Sequence, residues 1–152
     1  VSVCFSKGLG APVGSALCGS QEVIERARRK RKILGGGMRQ AGIIAAGALY
    51  ALRNHRVRLV EDHANARCLA EAINELPGIK VDLEGVQTNI VMIEITGNAT
   101  AQQVSAMMKE EGVLINAMRP KVLRAVTHLD VSARDIEKAI EAFARISRRI
   151  RS

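Results

Sequence analysis

Glycine and proline cut this chain into pieces too short for any one element to dominate the fold. Gly8, Gly10 and Gly14 cluster with Pro12, Gly35-Gly36-Gly37 form an unbroken triplet, and Pro77-Gly78 stand together. Glycine opens the backbone to positive φ and proline removes a hydrogen-bond donor, so helices and strands stop at such clusters. Before the first break, residues 2–6 alternate as a strand, and "SALCG" at 15–19 reads as a second. From Ser20 as N-cap, residues 21–34 hold helix formers throughout, with Val23, Ile24, Ala27 and Ile33 or Leu34 as the buried stripe and the glycine triplet as terminator. Residues 38–52 are nearly all apolar, a buried or interface helix with Arg39 at its start. Residues 56–76 space Val57, Val60, Ala64, Leu69, Ile73 and Leu76 at helical intervals and end at Pro77.

Beyond Gly78 the texture changes to short strands and two amphipathic helices. The strands are "IKVDL" (79–83), "NIVMIEI" (89–95), "VLIN" (113–116) and "VLRAV" (122–126). One helix follows Thr100, whose Thr-x-x-Gln spacing fits a capping box; the other opens at Ser132 with Asp135 three positions on and runs through Ile136, Ile140, Phe143 and Ile146. This order describes an α+β layer sandwich. The expected division is residues 1–54, mostly strand-loop-strand and helices, and residues 55–152, a connecting helix with a self-contained domain.

Several function classes drop out on composition. No apolar run approaches the roughly 20 residues needed to span a bilayer, so no membrane partner is expected. The formal charge of +8 and the run "RARRKRK" (26–32) invite a nucleic-acid reading, but Phe5, Tyr50 and Phe143 are the chain's entire aromatic content, which argues against base stacking and against nucleic acid as partner. Cys4, Cys18 and Cys68 are odd in number and widely spaced, giving neither a disulfide framework nor a zinc site; a reducing, cytoplasmic setting and no metal follow.

Lys7 then stands out. Imine-forming lysines need an amine held at a fixed point with its neutral form accessible, and neighbouring glycines let backbone approach a planar cofactor and its phosphate. A strand end followed by Gly8, Gly10 and Gly14 supplies that setting. His63 reads as a surface or packing histidine, His128 as a partner of Asp130 or its turn, His55 as a helix-start residue without a partner, and Thr88-Asn89 as turn chemistry.

Five blocks, "SKGLGAPVGS" (6–15), "LGGGMRQAG" (34–42), "EDHANAR" (61–67), "TNIV" (88–91) and "RAVTHLDVS" (124–132), lie in one order along nearly the whole chain. In these the chain resembles the L-threonine aldolases of the low-specificity type. The resemblance implies an α/β fold, the C-terminal part of the aminotransferase-like fold of enzymes that use pyridoxal 5'-phosphate: residues 1–54 ending the large cofactor-binding domain, residues 55–152 forming the small α+β domain. It implies cleavage of L-threonine, L-allo-threonine and related β-hydroxy-α-amino acids to glycine and an aldehyde. Lys7 would form the Schiff base with the cofactor, Arg39 would reach the cofactor phosphate of a neighbouring subunit, and Arg124 would hold the substrate α-carboxylate. A homo-oligomer, a dimer of dimers, is implied as well.

Members of that family are substantially longer, with the counterpart of Lys7 past the middle. The preceding part carries the acidic partner of the pyridine nitrogen, the histidine stacked on the ring and most of the phosphate cradle. This chain alone is therefore expected neither to bind the cofactor tightly nor to cleave threonine, and to need that N-terminal half. "MRPKVLR" departs from the family pattern with a proline and added charge before Arg124. Two alternatives remain open: another enzyme of the same fold, β-eliminating or serine hydroxymethyltransferase-like, and a non-catalytic module using the basic run on an acidic partner.

Overall fold

The computed structural model describes residues 1–150. It divides the chain into two units, Val1–Leu59 and Val60–Ser152.

The first unit begins with an antiparallel hairpin, β1 (Ser2–Cys4) against β2 (Ser15–Leu17), in which Val3 faces Ala16. Two helices follow, α1 (Gln21–Ile33) and α2 (Gly42–Asn54). Ser20 precedes α1 as expected, although its hydroxyl makes no capping bond; Gly35 at φ +79° leads the chain out. The apolar stripe expected on α1 is not buried: none of its residues is, and Ile33 and Leu34 are 66% and 83% exposed. On α2 only Ala48 and Ala51 are buried, while Ile43, Leu49 and Tyr50 face outward. The physical reason is the same in both cases. The unit's own core is limited to Leu9, Ala11, Ala48 and Ala51 with Phe5 and Leu59 against them, too small to cover either helix.

The second unit has a real core. Its helix α3 (Leu59–Asn74) starts at the unit boundary, three residues later than the sequence pattern suggests. Its inner face is Asp62, Ala66, Leu69, Ala70 and Ile73, so the expected stripe is right at Leu69 and Ile73 but wrong at Val57, Val60 and Ala64, all exposed, the first two at 72% and 65%. Four antiparallel strands follow, β3 (Ile79–Val81), β4 (Ile90–Ile95), β5 (Asn116–Arg119) and β6 (Val122–Val126), ordered β3-β4-β6-β5. Along β4, Val91, Ile93 and Ile95 turn inward and Ile90, Met92 and Glu94 outward, the period-2 alternation of a sheet with one covered face. Helices α3, α4 (Ala101–Glu110) and α5 (Ala133–Arg149) contribute Ile73, Met108, Phe143 and Ile146 to the same core.

Both expected capping boxes are present. Thr100 and Gln103 satisfy each other's backbone N–H at the start of α4, and Ser132 and Asp135 do so for α5. The strand expected at 113–116 instead starts at Asn116, because Gly112 (φ +81°) and Val113 are spent closing α4: Gly112 N–H donates to Lys109 O and Val113 N–H to Met108 O.

Gly97 marks a close crossing. A Cβ there would lie 2.1 Å from the Ile150 carbonyl oxygen, itself the acceptor for Asn98 N–H at 3.1 Å. Gly97→Ala is expected to cost about 1–3 kcal/mol in urea unfolding, since backbone rather than a flexible side chain must move. Asp135 gives a pH signature. Hydrogen bonds from Ser132, then Lys138, hold its carboxyl well below the usual carboxylate range. A lowered folded-state value stabilises the fold above the unfolded value and loses that contribution as pH falls. The stability gap between the wild-type chain and Asp135→Ala should thus be full at neutral pH and shrink below about pH 4; a gap that stays constant through acid would contradict the assignment.

Candidate functional site

Lys7 sits where the hairpin loop folds on itself. Phe5 N–H donates to Gly14 O (2.9 Å), Ala11 N–H to Phe5 O (2.9 Å) and Gly10 N–H to Lys7 O (2.7 Å), so Lys7 opens a tight turn whose last residue, Gly10, has φ +68°. Buried Leu9 and Ala11 anchor this loop on α2. His55 contributes as well, against the expectation that it lacks a partner. It caps the C-terminus of α2, its Nδ1 lies 2.7 Å from the Leu9 carbonyl, and its ring meets Tyr50 edge to face. Because a carbonyl only accepts, Nδ1 carries the proton. There is little room beside the lysine: a Cβ on Gly8 would meet Leu59 Cδ2 at 3.1 Å. The Lys7 side chain itself is exposed.

Cys4, three residues before Lys7, places its Sγ 3.3 Å from Ser6 Oγ. Ser6, through its hydroxyl and then its backbone, lowers the thiol's pKa, and the Lys7 ammonium adds to the shift.

Arg39 is not at the start of a helix. The first residue of α2 is Gly42, and Arg39 lies in the preceding turn with its side chain exposed. The turn is closed by Gln40 at φ +53°, a left-handed conformation that side chains seldom adopt.

Arg124 is central on β6, in the second unit. Cross-strand registers place Met92 of β4 opposite it on one side and Asn116 of β5 opposite it on the other, and the next row pairs Ile90 with Val126. Ile90, Met92 and Val126 are each 43–46% exposed, so the guanidinium has half-exposed apolar neighbours, with Glu94 further along β4 on the same face. Its Nε is buried and, among the described residues, has no hydrogen-bond partner. An unpaired buried N–H costs roughly 1–3 kcal/mol, which marks a place where an acceptor belongs.

The end of β6 is tied down by side chains from two of the sequence blocks. Thr127 Oγ1 donates to Asp62 O (2.6 Å), Thr127 N–H to Asn89 O (3.0 Å), and Asn89 Nδ2 back to Thr127 O (2.9 Å). Asn89 and Thr127 therefore do structural work, as does His128, whose Nδ1 is 3.4 Å from Asp130. Asn116 and Met92 were missed from sequence because only strand register makes them neighbours of Arg124.

The family described as beta-eliminating lyase matches residues 1–98. The chain belongs to that family. Among the relatives of this beta-eliminating lyase family chain, a low specificity L-threonine aldolase of Escherichia coli K12 is 47% identical over 131 residues, which is 86% of this chain and 38% of that protein. Low-specificity L-threonine aldolase 1 of Arabidopsis thaliana is 40% identical over 145 residues, 94% of this chain and 40% of the relative. The chain thus spans about two fifths of the length of the curated relatives it matches. Among solved structures, one described as an L-allo-threonine aldolase from Listeria monocytogenes superposes with a TM-score of 0.74 at 20% identity, covering 95% of this chain and 43% of that one. A PLP-dependent aminotransferase from Streptococcus suis gives 0.72 at 15% identity, covering 99% and 42%. The fold is accordingly aminotransferase-like α/β, as the sequence blocks imply.

In a Cys18→Ser, Cys68→Ser background, Ser6→Ala should shift the midpoint of Cys4 alkylation to higher pH. An unchanged midpoint in a pH series with iodoacetamide would remove Ser6 as the cause.

Proposed function

We propose that this chain contributes part of the catalytic centre of an L-threonine aldolase that cleaves β-hydroxy-α-amino acids to glycine and an aldehyde. The observation that carries the reading is the unpartnered, buried Nε of Arg124 among the half-exposed side chains of Ile90, Met92 and Val126, which suits a carboxylate-bearing substrate. A guanidinium grips a carboxylate with parallel, charge-assisted hydrogen bonds. Holding the α-carboxylate fixes the orientation of the Cα–Cβ bond, which is Arg124's part in the reaction.

The donor set of the first unit fits pyridoxal phosphate. Lys7 offers a primary amine, on a backbone-locked turn, for an aldehyde, and Arg39 offers an exposed guanidinium for a phosphate. These two residues would hold the cofactor. When bound, it supplies an electron sink for the pair released as the Cα–Cβ bond breaks. Support for this assignment comes from the relatives named threonine aldolase and from the cofactor named for a structural neighbour.

In this reading residues 1–54 end a cofactor-binding domain and residues 55–152 form a connecting helix and a small α+β domain. The outward Ile43, Leu49 and Tyr50 of α2 are covered by another subunit in a homo-oligomer, a dimer of dimers, located in the cytoplasm. The remaining length of the relatives supplies what these residues lack: the partner of the pyridine nitrogen, a ring-stacking side chain and the desolvation that Lys7 needs. The 152 residues alone should release no glycine from threonine.

The test is a chimera that joins the N-terminal three fifths of the Escherichia coli relative to this chain. With pyridoxal phosphate and L-threonine it should release glycine and acetaldehyde in equal amounts, and borohydride reduction should leave a cofactor adduct on the Lys7 peptide. Arg124→Ala should raise KM by about 10- to 100-fold, the range expected for losing hydrogen bonds to a charged group. 2-Oxobutyrate and ammonia as products would replace the aldolase reading with β-elimination, and an adduct confined to another lysine would displace Lys7.

A further inference from the structure

Arg124 does not face its ligand alone. β5 and β6 are antiparallel with Asn116 directly opposite Arg124, and directly opposed residues project from the same face of a sheet with Cβ atoms about 4.5–5.5 Å apart. That separation lets a carboxamide and a guanidinium reach one small anion together. Asn116 is exposed, and no hydrogen bond from its carboxamide is present among the described residues. Arg124 Nε likewise has no partner. Both polar groups in the row are therefore uncommitted, and Met92 at the other end offers only a thioether.

We infer that Asn116 is a substrate-binding residue, its Nδ2–H donating a hydrogen bond to the same α-carboxylate that Arg124 holds. The inference rests on the carboxylate role proposed for Arg124 and extends it. Three features favour the pairing. A carboxylate has about four lone-pair sites, so two bonds from Arg124 leave acceptor capacity for a third donor. The surrounding Ile90, Met92 and Val126 offer no hydrogen-bond donor of their own, so Arg124 and Asn116 are the side-chain donors this row presents. Asn116 also opens an edge strand that shifts register between Ala117 and Arg119, so its position is set by pairing with β6 and not by a further strand.

The experiment uses the full 152-residue chain labelled with ¹⁵N. Glycine is the probe and ethanolamine the control, which keeps the amine but lacks the carboxylate. The expected result is that the Arg124 Nε–H and Asn116 Nδ2 signals move together, with one half-saturation concentration, on adding glycine and stay still with ethanolamine. Asn116→Ala should weaken glycine binding about five- to tenfold, and Asn116→Asp should weaken it further by like-charge repulsion, while the urea midpoint of this exposed position is unchanged. If the Arg124 signal moves and the Asn116 signal does not, the inference is wrong and the carboxylate reading of Arg124 stands. If neither moves, both are wrong.

Discussion

The register of β6 between β4 and β5 is the constraint from which the second unit's chemistry follows. Leu123 is fully buried in the core, and in a strand the next residue must point the other way. Sliding β6 by a single residue would put the Arg124 guanidinium among Ile93, Met108 and Phe143 and leave Leu123 in water, two costs that reinforce each other. Helix packing against one face thus places a cation on the opposite face without any contact to the cation itself. The same pairing brings Asn116 and Met92 alongside.

The first unit reaches the same end by different means. Its core is too slight to hold a side chain in place, so the backbone around Lys7 does the holding, through three short main-chain hydrogen bonds, positive φ at Gly10 and Gly14, and the His55 imidazole on the Leu9 carbonyl. Lysine carries a long flexible stem, and fixing its Cα is the part of the task a loop can perform. What the loop does not provide is shelter from water, since the Lys7 side chain is exposed.

Features that depend on a few adjacent residues were legible in the sequence. The two capping boxes and the helix stop at the glycine triplet arise from local hydrogen bonding, whereas Asn89, expected to serve its own turn, bonds Thr127 far along the chain. Features that depend on what lies across from a segment were not. The stripe on α1 has the right spacing but nothing in its unit to bury it, and Val57 and Val60 match a helical period in a stretch where no core is offered. β5 begins late because the end of α4 claims Gly112 and Val113 first, a competition visible only once both elements are in place. Arg39, Lys7 and Arg124 were picked out by sequence blocks, whereas Asn116 emerged from pairing alone.

The two strands that flank the Arg124 row differ in how freely they can change. β6 is pinned at its end by Thr127, which engages Asp62 and Asn89, so drift there disturbs three segments at once. β5 lies at the margin of the sheet, is four residues long and already tolerates an irregularity. Substitution is accordingly absorbed more easily by the backbone of the outer strand than by that of the inner one.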